Sequence, residues 1–413
     1  MVRIRNKDKK KFEIGFLIFS LLLFSFTCVY SYIDTKHSKV ESSKAIEQIS
    51  TYIADKKEVK SEEKETVSRA LGNYPIQENE IGVTDERYSY GDVRRYGVFP
   101  DDNSLLNNYK LMKNVLDNAS TLGYEVFFPT GLYKTQLNIS QSNVTIRFEE
   151  GAELTGLVHV FVEDNKEKIK NLTIKGTIVT YDRFGTRNID GLTVDAIHVK
   201  SDGSKATDYP GVRGRGVHLS PGTTNMKCKL IEVDDLDSNG LNNVAAVEVD
   251  GWIKNPSNLQ IDKIWVKKSD VHGVYLTGNG HNIGEIQIDE FGADEYKLKN
   301  GLEDSDGIKQ SQELKGVWLN RCSDTKIKNI IVNNANTLRP NVKCDVFLDE
   351  VGKDKNTKSV TIGNIKCSPK GKSEGVVISN SSYIIDNVSA QNSNGESLVV
   401  MDKKSKAVVK NIE

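Results

Sequence analysis

Gly216-Val217-His218-Leu219 decides how this chain is read, because the phrase is rewritten down its second half. It returns as Ala246-Val247-Glu248-Val249, Gly273-Val274-Tyr275-Leu276, Gly316-Val317-Trp318-Leu319, Asp345-Val346-Phe347-Leu348, Gly375-Val376-Val377-Ile378 and Leu398-Val399-Val400-Met401. Each copy is an apolar, variable, apolar triplet. An extended strand alternates its side chains between two faces, so the flanking aliphatics turn one way and the middle residue the other. The middle residues therefore predict one outward file: His218, Glu248, Tyr275, Trp318, Phe347, Val377 and Val400.

A second phrase interleaves with the first, as in Ile261-Asp262-Lys263-Ile264, Ile283-Gly284-Glu285-Ile286, Ile327-Lys328-Asn329-Ile330, Ile362-Gly363-Asn364-Ile365, Ile385-Asp386-Asn387-Val388 and Val409-Lys410-Asn411-Ile412. Its third positions step by 22, 44, 35, 23 and 24 residues. About two strands per turn at a period near 23 residues, with turns rich in Gly, Asn, Asp and Ser, is the pattern of a stacked β-solenoid. A leucine-rich repeat would need a Leu-x-x-Leu-x-Leu frame, which is missing. The steps of 44 and 35 read as loops grafted onto single turns.

The 413 residues suffice for one large solenoid and an appendage, and the 37% hydrophobic content suits strands that face solvent on one side. A net charge of −1 offers no nucleic-acid footprint. At the N-terminus a basic flank, residues 1–13, precedes the uncharged stretch Ile14 to Ile33. Such a stretch is long enough to span a bilayer as a signal anchor with the N-terminus in the cytoplasm, or to serve as a cleaved signal peptide of a secreted protein. Residues 34–80 are polar and read as a stalk, which leaves 81–413 as the exported solenoid domain.

The domain opens with Tyr96-Gly97-Val98-Phe99-Pro100-Asp101-Asp102, an amphipathic stretch over 103–121, Glu125-Val126-Phe127-Phe128-Pro129-Thr130-Gly131-Leu132-Tyr133, and a strand-rich run from Asn143 to Gly156. This resembles the opening segment of the pectate-lyase-like superfamily, which includes pectate lyases, polygalacturonases and phage tailspike depolymerases. The resemblance implies an all-β, right-handed parallel β-helix with an N-terminal capping helix. It also implies an extracellular or cell-envelope polysaccharide lying along one outer sheet. Glycoside hydrolysis is the leading expectation. A polysaccharide lyase, a C5 epimerase and a non-catalytic scaffold for polymer synthesis or export are the alternatives.

Within that likeness the outward file suits a groove. Tyr275, Trp318 and Phe347 would stack on sugar rings, with Arg215 holding an acidic sugar. Glu248 and Asp250 share one strand face about 6.5 to 7 Å apart, a separation suited to an inverting pair of carboxylates, and His218 neighbours Glu248 on the preceding turn. Asp250 belongs to a second outward file, Ser220, Asp250, Thr277, Asn320, Asp349, Ser379 and Asp402. Against the polygalacturonase pattern only His272, in His272-Gly273, carries over; the catalytic aspartates do not. No cofactor is required. Ca²⁺ is the one candidate ion, on Asp234 and Asp235 with Asp237, and the rival reading of that stretch is a plain turn.

His159, His198 and His218 share an aliphatic-flanked frame, and His198 with His218 is the pair to try for a metal. Cys228, Cys322, Cys344 and Cys367 permit a disulfide after export without choosing one. Asn329, Asn364, Asn387 and Asn411 predict a hydrogen-bonded ladder along a turn. At the C-terminal strand no cap is legible, so a homo-oligomer covering the last turn and a folded-back end are both open.

Overall fold

The computed structural model describes residues 83–413 except 101–104, 206–213, 237–244, 252–253, 293–312, 334–341, 350–358, 371–372, 380–381, 393 and 404. The expected basic flank, anchor and stalk, together with Asp237, lie outside the described residues. Among the described residues no helix is long and apolar enough to cross a membrane.

Two long sheets, one of thirteen strands and one of ten, carry the fold, and every pairing within them is parallel. The chain alternates between them. Val217–Leu219 belongs to the ten-stranded sheet, Lys227–Val233 to the thirteen-stranded one, Ala245–Val249 to the first again and Gln260–Val266 to the second. Parallel neighbours cannot be joined by hairpins, so each turn must travel around the molecule before it pairs with the one before. The arrangement fits a parallel β-helix.

Both phrases are in register. Ile261, Ile283, Ile327, Ile362, Ile385 and Val409 pair in sequence along the thirteen-stranded sheet. Val217, Val247, Val274, Val317, Val346, Val376 and Val399 do so along the other. Apart from Val399 and Val409 near the last turn, these aliphatics are fully buried or nearly so and fill the space between the sheets. Burial of that kind stabilises by about 1.5–3 kcal/mol per large aliphatic side chain. The leading glycine of the first phrase has a steric cause: Gly216 holds φ +70°, and a Cβ there would fall 2.2 Å from the Ala246 carbonyl oxygen of the next turn.

The predicted cap is the helix Leu105–Leu122. Met112, Val115, Leu116 and Ala119, spaced three or four apart, turn one apolar stripe onto the first turn. Gly123 ends it at φ +76°, its N–H donating to the Ala119 carbonyl at 2.8 Å. At the other end Val400, Met401, Val408 and Ile412 are about half exposed.

One detail departs from expectation. The asparagine ladder is real, with Nδ2 of Asn364, Asn387 and Asn411 donating to Oδ1 of Asn329, Asn364 and Asn387 at 2.9, 2.8 and 2.8 Å. It runs along strands of the thirteen-stranded sheet rather than along a turn. The turn asparagines among the described residues are Asn143, Asn171, Asn188, Asn225 and Asn258, which hold φ between 53° and 60°, a left-handed region this residue tolerates. The cysteines Cys228, Cys322, Cys344 and Cys367, for which the sequence chose no pairing, are buried free thiols.

Candidate functional site on the ten-stranded sheet

The middle residues of the first phrase stand side by side. His218 pairs with Glu248, Glu248 with Tyr275, Tyr275 with Trp318, Trp318 with Phe347, Phe347 with Val377 and Val377 with Val400. The file also extends backwards, because His218 pairs with Gly185, Gly185 with His159 and His159 with Asn138. His159 carried a sequence signal, the frame shared with His218. Gly185 in Phe184-Gly185-Thr186 carried none.

The rings are in contact. Tyr275 and Trp318 lie 4.7 Å apart between centroids at 51°, and Trp318 and Phe347 lie 6.4 Å apart at 54°. Strands spaced about 4.8 Å impose this ladder once the register is set. Its degree of exposure differs from the expectation of a file standing in water: Trp318 and Phe347 are half-buried, while Tyr275 is only 7% exposed. Burial, ahead of the field of Asp250, raises the Tyr275 hydroxyl above its usual range. That hydroxyl accepts from Nδ2 of Asn320 at 3.0 Å, and Nε1 of Trp318 donates to Oδ2 of Asp349 at 3.3 Å. The ladder is thus pinned by the second file.

That second file is continuous except at one place. Backbone N–H groups of Asp250, Asp349, Ser379 and Asp402 donate to Leu219, Leu319, Leu348 and Ile378, which continues the parallel ladder past the phrase. Thr277 is the exception. A register shift between Leu276 and Gly278 turns it inward, fully buried, with its hydroxyl donating to the Val249 carbonyl at 3.0 Å. Asp250 is half-buried and accepts from the Gly251 N–H at 2.7 Å.

Within the file, Nε2 of His218 lies 3.5 Å from Oε2 of Glu248 and makes no hydrogen bond among the described residues. Burial, with Arg183 and Arg215 nearby, pushes the His218 imidazole down to about 3. Burial also lowers His159, to about 4. Both rings are therefore neutral around pH 7, able to accept or donate a proton but not to serve as standing cations.

Two expected site residues stand elsewhere. His272 is fully buried; its Nδ1 accepts the Lys315 N–H at 2.9 Å, and burial holds it at about 3. It touches the ladder only by an edge-on contact with Trp318, 5.4 Å between centroids, and so is placed to position that ring rather than to meet a ligand. Arg215 is 5% exposed, and its Nε is bonded to the buried Asp182 carboxylate. An arginine locked into an internal ion pair is not free to hold a sugar acid.

The metal expectations also change. His198 is on the thirteen-stranded sheet, so it does not converge with His218. It gathers instead with Glu232 and Asp234, and Asp235 is not part of that cluster. The Nζ of Lys267 sits 2.6 Å from Glu232 and 2.7 Å from Asp234, while Nε2 of His198 is 3.0 Å from Asp234. A lysine ammonium already occupies the position a cation would take. The same outer face is cross-linked throughout: Trp265 donates to Asp289 at 2.7 Å, with Lys263 and Lys267 over its ring at 5.2 and 4.9 Å. Its polar groups bond to one another, whereas the file of the ten-stranded sheet places an imidazole nitrogen with no hydrogen bond among the described residues beside a carboxylate and three linked rings.

Lys315 is the neighbour that sequence reading missed. Its Nζ lies 4.3 Å from the Trp318 ring centroid and 5.1 Å from that of Phe347. The only available signal was its place three residues before Trp318. No family model matches this chain, and neither a curated protein nor a solved structure does.

Proposed function

We propose that this protein is a right-handed parallel β-helix of the pectate-lyase-like kind and that it acts on an extracellular or cell-envelope polysaccharide. The right hand is that of nearly all parallel crossovers. The reading is carried by one observation: Tyr275, Trp318 and Phe347 form a linked row along the outer face of the ten-stranded sheet, continuous with His218 and Glu248. Aromatic faces spaced by the strand repeat suit a chain of sugar rings.

The chemistry favoured at the head of the row is glycoside hydrolysis, with Glu248 and Asp250 dividing acid and base roles and neutral His218 beside Glu248. Lysis or C5 epimerisation would need a cation at the sugar acid beside Glu248 and Asp250, and Arg215, the one expected there, is committed to Asp182. The burial of His272 and Arg215 favours a second reading, a non-catalytic scaffold that holds the polymer. Membrane anchoring through residues 14–33 remains part of the proposal.

Affinity electrophoresis of the full chain against a panel of acidic and neutral polysaccharides tests the groove. Trp318→Ala should weaken binding about tenfold, near 1.4 kcal/mol. Retention by no polymer, or equal retention of wild type and variant, would remove the glycan reading. New reducing ends that vanish in Glu248→Gln and Asp250→Asn would separate the enzyme from the scaffold.

A further inference from the structure

Lys315 is 6% exposed, yet no carboxylate among the described residues is in ion-pair contact with it. Its Nζ donates to the Glu313 carbonyl at 2.9 Å. An ammonium has three donors, so two are left over, and the described residues offer them no hydrogen-bond acceptor. The Glu313 carboxylate, Asp349 and Lys343 act on it only through space. Leaving a cation buried without a counter-ion is costly, and proteins as a rule pair such groups. The rings of Trp318 and Phe347 recover part of that cost through cation–π attraction, but they supply no acceptor. Contrast Arg215, equally buried and bonded to Asp182, and Lys267, which has two carboxylates. The uncompensated lysine is the one beside the aromatic row.

We infer that Lys315 is the specificity-determining residue of the groove, the counter-charge for an acidic group carried by the sugar chain that stacks on Trp318 and Phe347. The inference rests on the glycan reading and narrows it to anionic polymers. A carboxylate or a sulfate ester would serve equally at Nζ, as a point charge asks only for negative oxygen within hydrogen-bond reach. The position is also sterically settled from below, because the Lys315 backbone N–H is held by His272 and keeps the stem against the ladder.

The test uses the full chain and three probes: polygalacturonate for the carboxylate, dextran sulfate for the sulfate ester, and unmodified dextran as the uncharged control. Wild type should prefer one acidic probe, and which one it prefers identifies the acidic group. Lys315→Met should lose about tenfold or more of that affinity with dextran binding unchanged, and Lys315→Arg should keep most of the preference. Lys315→Met should also melt no lower than wild type, since it removes a buried charge that has no counter-ion among the described residues. A variant that melts lower and keeps the acidic preference marks the lysine as structural and overturns the inference. Equal loss on charged and uncharged probes, or a wild-type preference for dextran, overturns it too, while the groove stands if Trp318→Ala still weakens binding. If Trp318→Ala changes nothing, the glycan reading itself fails.

Discussion

Nε2 of His218 and Oε2 of Glu248 face each other across one turn of the helix at 3.5 Å, too long and too poorly aimed for a hydrogen bond, with the imidazole held neutral by burial. The imidazole is thus a neutral neighbour of the carboxylate rather than its charged partner. The pair differs from the His198 and Asp234 pair on the other sheet, which is bonded at 3.0 Å.

The histidines make the fold acid-labile. Burial lowers His218 and His272 to about 3 and His281 to about 4. Two of them have Nδ1 occupied as an acceptor, from the Lys315 N–H in His272 and the Leu259 N–H in His281. Protonating those nitrogens would break both bonds. With folded values below the ordinary 6.5, the unfolded chain binds more protons than the folded one, so stability present above pH 6.5 is lost as pH falls through about 4 to about 3. Each histidine contributes a slope of about 1.4 kcal/mol per pH unit at most. Urea midpoints measured from pH 7 to pH 5 should fall steeply; a flat profile contradicts the assignment.

Asp345 works in the opposite direction. It is fully buried, with Oδ1 accepting from the Ser373 hydroxyl at 2.7 Å and Oδ2 unpartnered among the described residues, and burial raises it to about 6. The folded state holds this proton more tightly than the unfolded state. Its contribution is therefore lost as pH rises from about 4 through about 6, a change on the order of 3 kcal/mol. Asp345→Asn, which keeps the Ser373 acceptor, should stabilise the chain at pH 7.5 and have little effect near pH 4. Melting curves of the two proteins at both values decide it.

Arg215 should prove structural. Its guanidinium and the Asp182 carboxylate are both almost fully buried. Breaking such a pair from one side leaves an uncompensated charge and costs about 3–5 kcal/mol. Arg215→Met should depress the urea midpoint accordingly while changing polymer affinity no more than that unfolding explains. A stable variant with lost affinity would return Arg215 to the groove.

Asn387 both donates to Asn364 and accepts from Asn411, each at 2.8 Å. Asn387→Ala removes two cross-turn bonds at once and should cost about 1–2 kcal/mol, discounted for the partial exposure of the ladder. Asn411→Ala, at the end of the row, should cost less. Equal effects on chemical denaturation would mean that the ladder does not act as a connected row.

The sequence by itself determined the period, the two interleaved phrases and the order of residues along each file, because strand alternation and a fixed repeat leave no freedom once the aliphatics must face one core. His218, Glu248, Tyr275, Trp318 and Phe347 stand in the expected order for that reason. Only the tertiary structure decided which members of those files stay open. Local register shifts turned Thr277 inward, and His272 and Lys315 met across residues 43 positions apart. Arg215 found Asp182 at a distance of 33 positions in the chain. Alternation tells which side of a sheet a residue leaves from. What it meets there depends on the neighbouring turns and connections, whose contacts are set by packing between distant segments rather than by any local pattern.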